Sequence, residues 1–197
     1  MNHILEWWQG EGGNTYIRGN EPTKAEIEGR TTCLKKIFEK VKTSPIRSIL
    51  EVGAGPGATT LALRTLYSKV DIQVIEPNLI GREALLKMGI RAFIGHAEAI
   101  CAPDASFDLV VTSGVLIHIH PDHWRDATAE ISRVSKHYVL AIEYFSFLPS
   151  SVLYHGEERL WRGNFGKLYL ESGLKLLGWG FFWEGQNDTN WWFLEKR

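Results

Sequence analysis

Two cysteines in 197 residues, Cys33 and Cys101, are too few for a disulfide scaffold, and neither belongs to a CxxC pair of the zinc or redox type. Both read as reduced thiols of a cytoplasmic protein. No apolar run approaches the ~18 residues that would cross a bilayer. The opening MNHILEWW lacks the basic stretch followed by an apolar core that marks a secretory signal. Neither sign of charge dominates, with 22 Lys and Arg against 23 Asp and Glu, and the cations are dispersed. That argues against the dense positive surface that neutralises several phosphates of a long nucleic acid. There is no repeat, no low-complexity tract and no linker to a second domain, so one hydrophobic core is expected at this length. His118, His120, Asp122 and His123 are split by a helix start and match no HExxH pattern, so no metal site is expected.

What is present is a regular alternation. Residues 1–21 carry Trp7, Trp8, Tyr16 and four glycines and read as an irregular, aromatic-anchored cap. From Pro22 to Lys42, Ile27, Leu34, Ile37, Phe38 and Val41 follow helical spacing, which makes 1–42 a cap and helix. Across 46–145 strand-like RSILEV, DIQVIE, RAFIG, FDLVVT and HYVLAIEYF alternate with helical segments, one closed by Gly89 and one started by Pro121, as parallel βαβ units do. Residues 146–172 break the rhythm with Pro149, Gly156, Gly163 and Gly166 and read as a substrate-side insertion. In 173–197 two strand-like stretches read as an antiparallel hairpin. The expected architecture is therefore a single α/β domain with a doubly wound, mostly parallel, seven-stranded sheet and an antiparallel C-terminal hairpin. The aromatic residues of the C-terminal third, among them Trp161, Phe165, Tyr169, Trp179, Phe181, Phe182, Trp183, Trp191 and Trp192, are expected to be mostly core or lid packing.

The chemistry gathers where strands end. Glu51-Val52-Gly53-Ala54-Gly55-Pro56-Gly57 follows an apolar strand and opens a helix, which lets backbone approach a ligand closely and offers free amides to an anionic group. Glu76, at the end of DIQVIE and followed by Pro77, can accept both hydrogens of a ribose diol. Gly53, Gly55 and Ala58 also satisfy the GxGxxA pattern of nicotinamide-dependent oxidoreductases, which remains the rival reading, beside a non-catalytic binding protein on the same fold. Glu51 ahead of the glycines, the ExGxGxG shape and the antiparallel C-terminus favour a different cofactor.

With Gly95-His96-Ala97-Glu98 after the third strand, and the fourth strand leading to Ser113 and Gly114, the sequence resembles class I methyltransferases. The resemblance implies S-adenosyl-L-methionine as cofactor, its methionine carboxylate at the glycine turn and its ribose on Glu76. It also implies an adenine contact from the 96–98 segment, where an aspartate is common at the place held by His96 and Glu98 is the substitute. Tyr16 and Arg18 are expected to cover the methionine end.

Four segments resemble the pseudaminic acid biosynthesis-associated methylases within that superfamily: WQGEGGNTY at 8–16, ILEVGAGPG, TSGVLIHIHP and EYFSFLPSSVLYHGEERLWRGNF. This chain departs from the family pattern at three places: Gly19-Asn20 replaces an Arg-Asn pair, Tyr154-His155-Gly156 a Tyr-Arg-Gly run, and Gly163-Asn164-Phe165 an Arg-Asp-Phe run. The resemblance implies a small-molecule acceptor, a nucleotide-linked sugar or sugar-like metabolite, methylated on nitrogen or oxygen. His118 is the first candidate for a general base because an unperturbed imidazole titrates near ~6.5. Glu143 and Tyr144, at the end of the fifth strand, are next as groups that orient the acceptor.

Overall fold

The structure is a computed structural model that describes residues 3–183 and 188–197. The chain opens with helices α1 (His3–Gln9), α2 (Glu11–Gly19) and α3 (Lys24–Lys40). Strand β1 (Ser48–Val52), α4 (Ala58–Leu66), β2 (Asp71–Ile75), α5 (Leu79–Lys87) and β3 (Arg91–Phe93) follow. Next come β4 (Phe107–Ser113), two 3-10 turns at Leu116–His118 and Pro121–His123, α6 (Trp124–Val134) and β5 (Ser135–Glu143). A hairpin of β6 (Ser150–Tyr154) and β7 (Glu157–Arg162), α7 (Phe165–Glu171), β8 (Lys175–Trp183) and β9 (Asp188–Glu195) complete it.

Seven strands form one sheet in the order β3-β2-β1-β4-β5-β9-β8. The first five run parallel, with Glu51 facing Val74 on one side and Val111 on the other. β9 runs antiparallel between β5 and β8, pairing Ala141 with Trp192 and Trp179 with Trp192. The sheet thus has the expected architecture. β1 and β4 read as near-continuous apolar runs because helices bury both faces. Leu34 and Ile37 of α3 and Leu63 of α4 pack with Leu109, Leu140 and Phe193 on one face. Ile131 of α6 and Phe165 and Tyr169 of α7 pack with Val110 and Val139 on the other. Of the C-terminal aromatics, Trp161, Phe182, Trp191 and Trp192 are also buried, whereas Trp179 and Phe181 are exposed. The side chain of Trp183 lies outside the described residues.

Two segments are more ordered than the sequence suggests. The N-terminal cap is a pair of helices rather than an irregular arm, and glycine is what lets the pair close. A Cβ on Gly13 would stand 1.9 Å from the Trp8 carbonyl oxygen, and one on Gly12 would enter the Trp7 indole. The composition that resembled a loop is a close helix contact. Similarly, 146–172 contains a hairpin turned by His155 (φ 53°) and Gly156 (φ 81°), the left-handed pair that a two-residue type I′ turn requires. Gly163, where the resembling family carries arginine, lies under the Trp124 ring, which a Cβ would approach to 2.5 Å.

Asn78 ties the cap to the sheet. Its side-chain oxygen accepts from the Gly81 amide and so caps α5, while its amide nitrogen donates to the Trp8 carbonyl and to Asn14 Oδ1, each at 2.9 Å. Asn78 itself is fully buried and its partners are partly so, and losing its side chain leaves the Gly81 amide without its cap. Asn78→Ala is expected to cost about 1–2 kcal/mol of stability and to speed amide exchange in α1 and α2 before the sheet. Unchanged exchange in those helices would show that the tie is not what holds them.

Candidate functional site

The parallel strands end at a cleft along their carboxyl edge, where open α/β sheets place ligands. β1 leaves the sheet through Gly53 and Gly55, both left-handed (φ 71° and 53°), a conformation that a side chain would strain. The Gly55 amide donates to Glu76 Oε2 at 2.7 Å, and the Asn78 amide donates to Glu76 Oε1 at 2.8 Å. Glu76 is nearly buried; burial raises its pKa while these two amide bonds pull it down. Each carboxylate oxygen keeps a further lone pair for a hydroxyl donor.

Around this centre the structure gathers most of the expected residues. Glu51, Gly53, Ala54, Gly55, Glu76 and Pro77 line the cleft from β1 and β2. His96, Ala97 and Glu98 line it beyond β3, and Ser113, Gly114 and His118 beyond β4. Tyr16 covers it from α2, its ring edge-on to Trp8. Glu51 receives a hydrogen bond from the Thr60 hydroxyl, and burial raises its pKa to about 7. Glu98 stands between two imidazoles, 3.4 Å from His96 Nδ1 and 3.6 Å from His123 Nδ1. Among the described residues no group of three or more His, Cys, Asp or Glu side chains is arranged to hold a metal ion.

Four expected residues fall elsewhere. Arg18 points outward and pairs with Glu11 at 3.1 Å on the exposed face of α2. The arginine at the cleft is Arg30 of α3, which donates to Thr59 Oγ1 at 3.0 Å and Ser113 Oγ at 3.2 Å and stands 3.5 Å from Glu26. Its sequence signal is a cation on the inward stripe between Ile27 and Leu34. Gly57 caps α4 and packs on Leu85, where a Cβ would lie 2.8 Å from Cδ2, so its glycine serves packing. Tyr144 sits outside the cleft lining, with the Arg162 guanidinium over its ring. Glu143 is fully buried beneath the cleft and accepts from the amides of Val115 and Ile117, at 3.0 and 3.5 Å, so it shapes the turn that presents His118.

His118 is half-buried, its ring packed against Trp8 and Tyr154, and this changes its chemistry. Its Nδ1 lies 3.0 Å from the Arg159 carbonyl oxygen, which fixes Nδ1 as the donor and leaves Nε2 as a lone-pair acceptor. Burial lowers its pKa to about 4, with the carbonyl bond only partly offsetting this. The imidazole is therefore neutral at physiological pH and a much weaker base than an exposed histidine.

Burial acts on Glu143 in the opposite sense, raising its pKa from 4.5 to about 7. The native state keeps a proton that the unfolded chain releases across that interval, so stability falls as pH rises from about 4.5 to 7. Glu143→Gln removes this titration. Its Tm relative to the parent protein is expected to rise from pH 5 to pH 8 in scanning calorimetry, and a pH-independent difference would contradict the burial argument.

Comparison with known proteins agrees with this geometry. Residues 49–137 match the family model described as a methyltransferase domain. The structure is similar to a 1,6-didemethyltoxoflavin-N1-methyltransferase of Burkholderia thailandensis solved with S-adenosylhomocysteine. That likeness has TM-score 0.72 and 13% identity, over 99% of this chain and 87% of that one. It is similar also to the magnesium protoporphyrin IX methyltransferase of Synechocystis with bound SAM, with TM-score 0.73 and 7% identity over 99% and 96%. A SAM-dependent methyltransferase of Leishmania major gives TM-score 0.69 and 19% identity over 98% and 82%. No curated protein matches this sequence closely enough to count as a relative. No helix among the described residues is long and apolar enough to cross a membrane. Residues 49–137 thus match a methyltransferase-domain model, within a chain whose mostly parallel seven-stranded sheet and antiparallel C-terminal hairpin have the class I methyltransferase fold.

Proposed function

We propose that the protein transfers a methyl group from S-adenosylmethionine to a nitrogen or oxygen of a small polar metabolite, with a nucleotide-linked sugar or sugar-like compound as the acceptor that the family resemblance implies. In this reading 46–145 is the cofactor-binding core, 1–42 its cap, 146–172 the acceptor side and 173–197 the closing hairpin. The observation that carries the proposal is the pairing, in one cleft, of the amide-held Glu76 carboxylate with Arg30 across the glycine turn.

The residues present fit the cofactor. Gly55 offers a surface with room for a ligand, since even a Cβ there would stand 3.8 Å from Tyr16. Glu76 would hold the ribose hydroxyls, Arg30 with Thr59 and Ser113 would face the amino-acid carboxylate, and His96, Ala97 and Glu98 would flank the adenine. When bound, the cofactor supplies an electrophilic methyl group on a sulfonium. Trp8, Tyr16 and His118 wall the acceptor side and exclude water, so much of the acceleration comes from alignment in a dry cleft. His118 Nε2 would accept a hydrogen bond from the acceptor N–H or O–H and aim its lone pair. With a pKa of about 4 it takes that proton as the new bond forms rather than beforehand.

A nicotinamide-dependent oxidoreductase is the competing reading of the same glycine turn, and the antiparallel β9 between β5 and β8 favours methyl transfer. Incubation with methyl-labelled S-adenosylmethionine and a panel of amines, sugars and nucleotide sugars should yield a labelled small molecule. Hydride transfer with a nicotinamide cofactor and no methyl transfer would overturn the proposal. His118→Ala is expected to reduce turnover by at least ~10-fold, within the range for a positioned proton acceptor, with cofactor affinity nearly unchanged. Normal turnover in that variant would remove His118 from the mechanism.

A further inference from the structure

A second cleft opens on the other side of Tyr16, which lines both, between the α1–α2 pair and the turn of the β6–β7 hairpin. Arg159 projects into its wall with 11% of its side chain exposed. The guanidinium carbon lies over Trp7, 5.1 Å from the ring centroid, and Nη2 stands 2.6 Å from Glu157 Oε2. Its Nε is buried and has no hydrogen-bond partner. A buried cationic donor left unpaired is costly, and planar guanidinium groups match the two oxygens of a carboxylate or phosphate.

The surroundings leave room for such a group. Glu157 is 62% exposed, so turning its carboxylate into water sacrifices little. Glu11, the other acid lining the cleft, is already engaged by Arg18 and Asn14, and the Asn14 bond and Arg18 hold its pKa down. The main-chain carbonyl of Arg159 meanwhile fixes the His118 ring in the first cleft. One residue therefore touches both spaces.

We propose that the second cleft binds an oxyanion of the methyl acceptor, a carboxylate or a phosphate ester, on the Arg159 guanidinium, with Glu157 occupying that place until the acceptor enters. The acceptor then extends past Tyr16 toward His118. This rests on the methyl-transfer reading for the identity of its ligand, while the anion site itself requires no cofactor.

The test uses the full chain, its arginine Nε–Hε resonances followed by NMR during titration with sodium phosphate or sodium acetate at constant ionic strength. Arg159→Lys identifies the resonance by deleting it. A saturable shift of the Arg159 signal is expected, and whichever anion saturates first identifies the oxyanion as phosphate or carboxylate. Glu157→Gln should tighten binding by about two- to fivefold, because an exposed competing ion pair is lost. A purely structural Arg159–Glu157 pair would not produce that gain. Absence of a saturable shift with either anion, or unchanged affinity in Glu157→Gln, overturns the proposal. The same samples titrated with S-adenosylhomocysteine separate the two readings: loss of the anion signal counts against this site alone, and failure to bind S-adenosylhomocysteine counts against methyl transfer.

Discussion

The Glu76 carboxylate, held by the amides of Gly55 and Asn78, is the contact through which the cleft is assembled. It joins the end of β2 to the turn after β1, and through Asn78 it reaches the start of α5 and both N-terminal helices. Hydrogen bonds to a charged group contribute about 1.5–3 kcal/mol each, enough to keep the glycine turn in one shape before any ligand arrives. Gly81 reinforces this, since a Cβ there would come within 3.1 Å of Glu76 Cγ. A site so constrained loses little entropy on binding.

Glu51 and Glu143 repeat the device at the ends of β1 and β5. Each is buried, each is pushed up to about 7, and each is met by hydrogen-bond donors, the Thr60 hydroxyl for one and the turn at 115–117 for the other. These carboxylates diminish stability in their charged form, yet they satisfy groups that the strand ends would otherwise leave unpaired. The loops of the cleft are thus positioned by acids beneath them, and the side chains facing the ligand are free for other work. Ligand sites commonly trade stability for geometry in this way.

The sheet was legible because its strands alternate with helical periods and its glycine turn and acid occupy fixed places in a βαβ unit. The hairpin at the C-terminus was legible because two strand-like stretches follow one another with no helical segment between them. The N-terminal helices were not, because glycines that permit close helix contact have the same composition as a loop. Arg18 and Arg30 show the limit for side chains: both sit on helices, and only the three-dimensional direction of α2 and α3 decides which one faces the cleft. His118 was found by its place after β4, but its depressed pKa comes from burial by residues distant in sequence, among them Trp8 and Tyr154. Glu143 and Tyr144 end a strand that points at the cleft, yet neither lines it, because the first turns into the backbone of the neighbouring loop and the second toward Arg162.

The central claim is that Glu76 and the glycine turn together form a seat for the adenosyl group. Calorimetric titration of the parent protein and Glu76→Ala with S-adenosylhomocysteine and, separately, with NADH addresses it most directly. The account predicts saturable binding of S-adenosylhomocysteine by the parent protein, its loss in the variant, and no comparable binding of NADH. Binding of NADH in preference, or equal affinity of both proteins for S-adenosylhomocysteine, would contradict it.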